Sequence, residues 1–337
     1  MTKRLVFFLF LHFVVLALML GFPLSDQAAK GPAKAVPVMM DRVSITGTPI
    51  MSPQGNFIGV TIPLKRVGRL LLLEGTVDGV IGNFILDTGS SGLVLNKTYF
   101  RNCMIIDNEE GGGVTGSTGA IARINVRRMM VAELVYTNIP ADVTPLGHLE
   151  NRRGVKILGL FGMSLLKNLE IVIDSRNNEL QLFKLDKKGN RVGTSSPEVR
   201  YDIVHKIEQY HNIMFIKASI GGKVLDFCLD TGAESNVLSI DAPGQALGTV
   251  TITRRSNLQG VGSDSGEVLF GTMNDFILGS RKLSSMETIL CSLTALSDKY
   301  GYPIDGMLGF DFFTQGKIYL NLVKKEMGIC FKPEGKP

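Results

Sequence analysis

The sequence predicts an all-β protein built from two homologous lobes, on two observations. The first is composition: glycine makes up 38 of 337 residues, about 11% against a usual value of roughly 7%. Short runs of Val, Ile, Leu and Thr lie between these glycines, which is typical of short strands joined by tight turns. The second is an internal repeat in a chain long enough for two domains. A hydrophobic content of 45% with 20% charged residues excludes a disordered chain.

The repeat consists of two matched blocks in the same order in each half. The first block is Thr76–Asn96, which matches Ser219–Ser239 without a gap, with eight of 21 positions identical. The second block is Gly159–Ile173, which matches Gly306–Leu320. The offset grows from 143 to 147 residues between the blocks. Two blocks at nearly constant spacing indicate two homologous lobes and exclude a solenoid, which needs shorter and more numerous repeats.

The pattern predicts the same elements in each lobe. A strand, a tight turn and a second strand open the lobe, and a short strand follows. In chain order these are Leu70–Thr76, Asp78-Gly79, Val80–Leu86 and Leu93–Leu95, then Ile213–Ile220, Gly221-Gly222, Lys223–Leu229 and Val237–Leu238. A short helix and a strand pair close each lobe. These are Ser164–Leu169 with Glu170–Asp174 and Glu179–Phe183, and Asp311–Gln315 with Lys317–Leu322 and Met327–Phe331.

The N-terminus reads as an export signal. Lys3 and Arg4 precede an almost unbroken apolar run over residues 5–22, and small residues follow, in the order of a secretory signal. The run is also just long enough to span a bilayer as an uncleaved anchor. We expect the body of the protein to be exported to the periplasm or the extracellular space under either alternative.

These features divide the chain into five regions. They are a signal peptide or membrane anchor at 1–29, a stem or linker at 30–56, a first lobe at 57–185, an inter-lobe linker at 186–199 and a second lobe at 200–332.

The chemistry lies in a triplet that occurs twice. Each copy follows an apolar strand, as Asp87-Thr88-Gly89 and Asp230-Thr231-Gly232, and each is followed later by an apolar-apolar-Gly segment. In these features the chain resembles the pepsin and retropepsin superfamily of aspartic peptidases, as a single chain with two retropepsin-like lobes. The resemblance covers residues 60–332. It implies acid-protease-type β-barrel lobes with a substrate cleft between them.

The resemblance also implies a role for each triplet residue. Asp87 and Asp230 would form a catalytic dyad, because two carboxylates about 3 Å apart cannot both ionise and therefore share a proton. Thr88 and Thr231 would interlock across the dyad through hydroxyl and backbone bonds. The glycine of each triplet, Gly89 and Gly232, would permit a close approach of the backbone.

The residues after the triplets differ between the lobes. We expect the Ser90 hydroxyl to donate a hydrogen bond to a dyad carboxylate in the first lobe, whereas Ala233 in the second lobe cannot. In the family, Ala at this place accompanies enzymes that work nearer neutral pH, so mildly acidic activity is expected. Glu234 matches a position where retroviral enzymes bind the substrate main chain with Asp, and a solvated loop carboxylate is the alternative.

Two glycine-rich segments resemble the hairpin that covers the substrate in these enzymes. Gly111–Gly116 starts 24 residues after the first Asp, and Gly260–Gly262 starts 30 residues after the second. Gly112, Gly113 and Gly262 are therefore candidate substrate-binding residues, with a plain hairpin loop as the alternative. The first segment also fits G-x-G-x-x-G, but a dinucleotide site needs a following helix and the next residues alternate as a strand.

Other classes of function find little support. A net charge of +5 and basic pairs without an aromatic platform do not predict nucleic-acid binding. The four His are scattered and the four Cys show no ligand spacing, so neither a metal nor a cofactor is expected. The prediction is a monomeric aspartic endopeptidase acting on peptides or proteins, either broadly or as a processing enzyme with few substrates. The alternative is a non-catalytic peptide-binding or inhibitor-like module on the same fold.

Overall fold

The computed structural model describes most of the chain after residue 49. The described ranges are 50–55, 57–101, 107–113, 116–151, 153–193, 199–210, 212–259, 265–283 and 285–331. The predicted signal or anchor and residues 30–49 of the predicted stem lie outside these ranges. No helix among the described residues has the length and apolar character needed to cross a membrane.

The first half folds into a closed β structure. Its strands in chain order are β1 (Ile50–Gln54), β2 (Gly59–Pro63), β3 (Lys65–Val67), β4 (Leu70–Val77), β5 (Val80–Asp87), β6 (Leu93–Asn96), β7 (Asp107–Gly113), β8 (Gly116–Val131), β9 (Leu134–Thr144), β10 (Ile157–Gly162), β11 (Leu169–Asp174) and β12 (Glu179–Lys184). Helix α1 (Gly147–Asn151) precedes β10, and a 3-10 turn (Met163–Leu166) follows it. The sheet order is β1-β9-β6-β10-β5-β4-β8-β7 with β3 on β4, and an added β8–β9 pairing closes a barrel.

The second half repeats this plan as a more open sheet. Its strands are β13 (Ile203–Lys206), β14 (Glu208–Tyr210), β15 (Ile213–Ile220), β16 (Lys223–Leu229), β17 (Asn236–Ser239), β18 (Val250–Gln259), β19 (Ser265–Met273), β20 (Phe276–Leu278), β21 (Arg281–Leu283), β22 (Met286–Cys291), β23 (Gly306–Leu308), β24 (Gly316–Asn321) and β25 (Glu326–Phe331). The short helices are α2 (Gly244–Leu247), α3 (Thr294–Tyr300) and α4 (Phe310–Phe313). The sheet order is β18-β19-β22-β17-β23-β16-β15-β20-β21, with β14 on β15.

The two sheets place their aspartate-bearing strands in the same surroundings. β10 runs parallel to β5 and antiparallel to β6, and β23 has the same relation to β16 and β17. β5 and β10 are almost fully buried. Parallel strands that are buried on both faces are typically continuous apolar runs, as these two strands are. Each triplet therefore leaves the carboxyl end of a buried strand.

The hairpin that opens each lobe is confirmed. Asp78 and Gly79 have φ angles of 45° and 90°, and Gly221 and Gly222 have 56° and 74°. Positive φ at both central residues matches the right-handed twist of the flanking strands, which explains the Asp-Gly and Gly-Gly sequences.

A third sheet joins the lobes. Its order is β13-β25-β24-β11-β12-β2, with three antiparallel strands from each half. The central pair sets Val172 opposite Tyr319, and Ile171 opposite Leu320. The all-β architecture with two similar lobes is confirmed.

The connections differ from prediction in three places. The helix expected at Ser164–Leu169 is the 3-10 turn, because Asn168 takes a positive φ of 60° and the strand begins at Leu169. The helix expected at Asp311–Gln315 begins one residue earlier and is only one turn long. Part of the predicted stem, Ile50–Gln54, is an edge strand of the first lobe that pairs with β9.

Candidate active site

The two aspartates occupy equivalent buried positions at the centre of the molecule. Asp87 is the last residue of β5 and Asp230 follows β16, and both are fully buried. The backbone N–H of Gly89 donates to Asp87 Oδ1 at 2.9 Å, and that of Gly232 donates to Asp230 Oδ1 at 2.8 Å. The Oδ1 atom of each aspartate, here called the inner oxygen, is thus held by a backbone N–H of its own triplet.

The two carboxyl groups surround a common point. A Cβ atom added at Gly232 would lie 2.9 Å from Asp87 Oδ1 and 3.2 Å from Asp230 Oδ1. Only glycine fits there, because the 2.9 Å approach is shorter than a non-bonded contact allows. The outer oxygens, Oδ2 of both residues, are buried and accept no hydrogen bond from any described protein group. Such orphaned acceptors are rare in folded proteins, and a catalytic role is one reason for retaining them.

The threonines interlock the lobes across this point. The Thr88 hydroxyl donates to Leu229 O at 2.9 Å and accepts from the Thr231 N–H at 3.0 Å. The Thr231 hydroxyl donates to Leu86 O at 2.7 Å and accepts from the Thr88 N–H at 3.0 Å. These four buried bonds tie the backbone of each aspartate strand to the opposite lobe.

The apolar-apolar-Gly segments support the loops from below. A Cβ at Gly162 would lie 2.3 Å from Gly92 O and 2.7 Å from Ser90 O. A Cβ at Gly309 would lie 2.6 Å from the carbonyl oxygens of both Ala233 and Ser235. The second block of the repeat therefore contains glycine because the active-site loop packs directly on its backbone.

Burial controls the electrostatics of the pair. It raises the pKa of Asp87 from 3.8 to about 6, although hydrogen bonds from Asp230 and from backbone N–H groups lower it. Burial also raises the pKa of Asp230 well above its usual value, and the neighbouring charge of Asp87 raises it further. The pair therefore holds one proton over a wide range of pH, and the two titrations belong to the dyad as a unit.

Comparison with known proteins agrees with this geometry. Residues 73–165, which contain the first triplet, match the family model described as "Aspartyl protease". Over these residues the chain is similar to the aspartyl protease family. The crystal structure of aspartic proteinase from Irpex lacteus matches the fold with a TM-score of 0.50, at 13% sequence identity, over 81% of this chain and 97% of that chain. Over the matched residues the chain thus has a pepsin-like aspartic protease fold. No curated protein matches the sequence.

In this protease fold the Ser90 hydroxyl does not take its predicted place. It donates to Gly92 O at 3.2 Å, not to a dyad carboxylate. The expected hydroxyl bond to the dyad is wrong because Ser90 lies in the tight turn after the aspartate, where the nearest acceptor is the loop carbonyl.

Glu234 lies inside the protein, so the alternative of a solvated loop carboxylate is wrong. Its Oε1 accepts from Nη2 of Arg153 at 2.6 Å, with side-chain exposures of 9% and 6%. The carboxylate is therefore already paired with a first-lobe cation. A role in binding the substrate main chain stays a prediction, and this geometry does not favour it.

The glycine-rich segments are described only in part. Gly112 and Gly113 lie near the end of β7, which pairs with β8, and the last pair of the ladder is Gly113 with Gly116. A strand follows these glycines, which removes the dinucleotide alternative. Residues 114–115 and 260–264, including Gly262, lie outside the described residues. Their contact with substrate stays a prediction.

Sequence reasoning missed the arginines that reach the second aspartate loop. Arg153 follows α1, and Arg69 precedes β4; Nη1 of Arg69 donates to Glu234 O at 3.4 Å. Neither arginine has a counterpart of its type in the repeat, so no symmetry marked it. The sequence signal was Glu234, an acidic residue two positions after the second triplet. Its burial in the structure explains why it needs a cation as partner.

Proposed function

We propose that the protein is an aspartic endopeptidase that hydrolyses peptide bonds with a water activated by Asp87 and Asp230. The observation that carries the proposal is the pair of buried carboxyl groups around one point, each with an unpartnered outer oxygen. A purely structural pair of acids would be costly to bury without further hydrogen bonds. The similarity of residues 73–165 to the aspartyl protease family supports a peptide as substrate.

The unequal acidity of the two groups suggests their roles. We assign the general base to Asp87, because hydrogen bonds lower its pKa against the effect of burial, whereas the charge of Asp87 adds to burial in raising the pKa of Asp230. It takes a proton from a water whose oxygen attacks the carbonyl carbon of the scissile bond. Asp230 holds the shared proton and donates it to the carbonyl oxygen, which gives a neutral tetrahedral diol and leaves Asp87 protonated and Asp230 ionised. As the diol collapses, the C–N bond breaks, Asp87 donates its proton to the leaving amine nitrogen, and Asp230 takes a proton from a diol hydroxyl, which restores the starting state of the dyad. The protons balance without a metal or an organic cofactor.

The proposal also covers the substrate, the oligomeric state and the cellular location of the protein. An extended peptide would lie between the lobes and hydrogen-bond to hairpin backbone as an added strand. Both carboxyl groups come from one chain, so a monomer suffices. Export to the periplasm or the extracellular space, with or without membrane anchoring through residues 5–22, rests on the basic, apolar and small order of the N-terminal residues.

The test is peptide cleavage by the wild type, Asp87→Asn and Asp230→Asn, with and without a statine-type transition-state inhibitor. We expect either substitution to abolish cleavage and the inhibitor to block the wild type. Asp298→Asn is the matched control, because Asp298 is an exposed carboxylate of α3.

Two outcomes would change the assignment. A variant of either dyad residue that keeps wild-type activity would exclude the shared-dyad mechanism. Folded wild type that binds peptides but cleaves none across a broad peptide library would favour the binding module.

A further inference from the structure

We propose that Arg153 is a positioning residue for the dyad: its buried ion pair with Glu234 fixes the second aspartate loop from the opposite lobe. The inference deepens the proposed function and rests on it, because Glu234 is four residues from Asp230. Arg153 is not itself at the reacting atoms, and it acts through the loop that carries Asp230.

The loop is fastened on both sides of Glu234. The carbonyl oxygen of Ala233 accepts the Phe310 N–H at 2.9 Å, and Gly309 packs beneath it. The Glu234 side chain then reaches across to Arg153 at 2.6 Å, in a place where both side chains are at least nine-tenths buried. A shift of this ion pair would therefore move the chain that leads directly from Asp230.

Arg153 is held rigidly in the first lobe. Its own N–H and that of Gly154 donate to the carbonyl oxygen of Glu150 at 2.9 and 2.8 Å. The buried Glu150 carboxylate accepts bonds from the Ile157 N–H, the Asn96 amide and the Tyr99 hydroxyl. The guanidinium also donates to Leu149 O at 3.4 Å. Because hydrogen bonds hold both the backbone and the guanidinium group of Arg153, this arginine can fix the position of Glu234. A flexible surface arginine could not.

A second first-lobe arginine reinforces the contact. Arg69 donates to the Glu234 carbonyl at 3.4 Å and pairs with Glu287 at 2.5 Å and with Asp311 at 3.5 Å. All three partners belong to the second half. Two cations of one lobe thus converge on the aspartate loop of the other.

The arrangement is one-sided, although the fold is nearly two-fold symmetric. At the repeat offset of 143, Ser91 stands where the second lobe has Glu234, and Asn212 stands where the first lobe has Arg69. At the offset of 147, Ser164 stands where the second lobe has Asp311. A general need for lobe adhesion would be met equally on both sides, and it is already met by the threonine interlock. At these aligned positions the charged residues all lie on the Asp230 side.

Energetics favour a positional role over a stabilising one. Burying two charges costs so much hydration free energy that well-packed apolar residues in their place are often neutral or stabilising. Breaking such a pair on one side only is strongly destabilising, because it leaves a buried charge. A buried ion pair is therefore a poor source of stability, but it does define one geometry.

The decisive variant replaces the pair with apolar residues, Arg153→Met together with Glu234→Leu. We expect thermal stability close to wild type or higher, with kcat at least about tenfold lower and KM little changed, because small misplacements of catalytic groups slow the chemical step. The single variant Arg153→Lys keeps the positive charge, so we expect its kcat to be much closer to the wild-type value than that of the double variant. The exposed first-lobe pair supplies the matched control, Lys65→Gln with Glu74→Gln, which should behave as wild type.

A readout that needs no turnover separates this inference from the proposed function. The dyad is titrated by 13C NMR of labelled Asp carboxyl carbons in the wild type, the apolar double variant and the control. We expect the apparent pKa values of the pair to shift in the double variant alone. Identical titrations and identical kcat in folded double variant and wild type would overturn the inference. If the wild type cleaves no peptide, the proposed function fails, and the NMR titration still decides whether Arg153 positions the dyad.

Discussion

At the residue scale, the two aspartates differ in their surroundings, although they occupy equivalent places in the repeat. Each inner oxygen accepts one backbone N–H of its own triplet. Burial and the charge of Asp87 both raise the pKa of Asp230. The Ser90 hydroxyl, which would have lowered the pKa of the pair, donates to Gly92 O instead. Both aspartates are therefore weaker acids than an exposed aspartate, which favours activity at mildly acidic pH.

This acidity gives the expected pH dependence of catalysis. In the proposed mechanism Asp87 is ionised and Asp230 is protonated, so we expect kcat/KM to rise with pH up to the Asp87 pKa of about 6. Below that value it should fall about tenfold per pH unit, and it should decline again where Asp230 loses its proton. A pH–rate profile with a peptide substrate measures this directly. A rate that still rises as the pH is lowered below 3 would contradict the assignment of roles.

At the element scale, the second block of each repeat is a platform for the triplet loop. β10 and β23 each lie between the aspartate strand and the strand after it. The loop rests on a glycine at the end of β10, Gly162, and on one directly after β23, Gly309. The Met163 N–H donates to Ser90 O at 2.9 Å, as the Phe310 N–H does to Ala233 O in the second lobe. Strand, turn and loop therefore form one unit in each lobe.

Gly162→Ala tests this unit. The added Cβ would lie 2.3 Å from Gly92 O, a backbone atom that cannot yield without moving the loop. We expect a loss of about 1–3 kcal/mol in unfolding free energy, as for overpacked cores, together with a large loss of kcat. Denaturant unfolding and peptide cleavage measure the two effects. Gly244→Ala is the control, because a Cβ there has no neighbour within 4 Å, and equal behaviour of the two variants would refute the platform.

A cross-strand pair shows how freely the surface of the same elements has diverged. In the first lobe Lys65 pairs with Glu74 at 2.7 Å, and in the second Glu208 pairs with Lys217 at 3.4 Å. These are the same two positions at an offset of 143, with the charges exchanged. Attraction is kept although each sign is reversed, and exposed pairs of this kind contribute little to stability.

The elements also show what the sequence could predict and what it could not. Hairpins, aspartate strands and closing strand pairs follow from turn dipeptides and apolar runs, which are local signals. The ion pair of Arg153 with Glu234 joins residues 81 positions apart that share no periodicity, so only the tertiary structure brings them together. The prediction named the wrong acceptor for the Ser90 hydroxyl, because the geometry of the turn, and not the residue type, determines its hydrogen-bond partner.

At the scale of the whole molecule, the six-stranded sheet makes the two lobes one structure. Three strands of each half meet at the β11–β24 pair, and the interlock of Thr88 and Thr231 adds four buried hydrogen bonds nearby. A separated lobe would expose an unpaired central strand edge. Neither half is therefore expected to be stable alone.

Cooperative unfolding is the corresponding prediction. Denaturant unfolding followed by far-UV circular dichroism and by tyrosine fluorescence should give one coincident transition. Ile171→Ala, at the fully buried centre of the shared sheet, should cost about 2–5 kcal/mol and move that whole transition. Ile81→Ala, at a side chain that is 62% exposed, is the control. Two separated transitions, with only one moved by Ile171→Ala, would show that the lobes unfold independently.

The order of the aspartates and of β24 and β25 along the chain has a consequence for the timing of activity. During synthesis Asp87 emerges long before Asp230, and the strands that complete the shared sheet emerge after both. A nascent chain that lacks them therefore holds half of the proposed dyad or an incomplete sheet, and we expect it not to hydrolyse itself or its neighbours. The order of elements thus acts as a delay, which keeps the proposed peptidase inert until β25 has been synthesised.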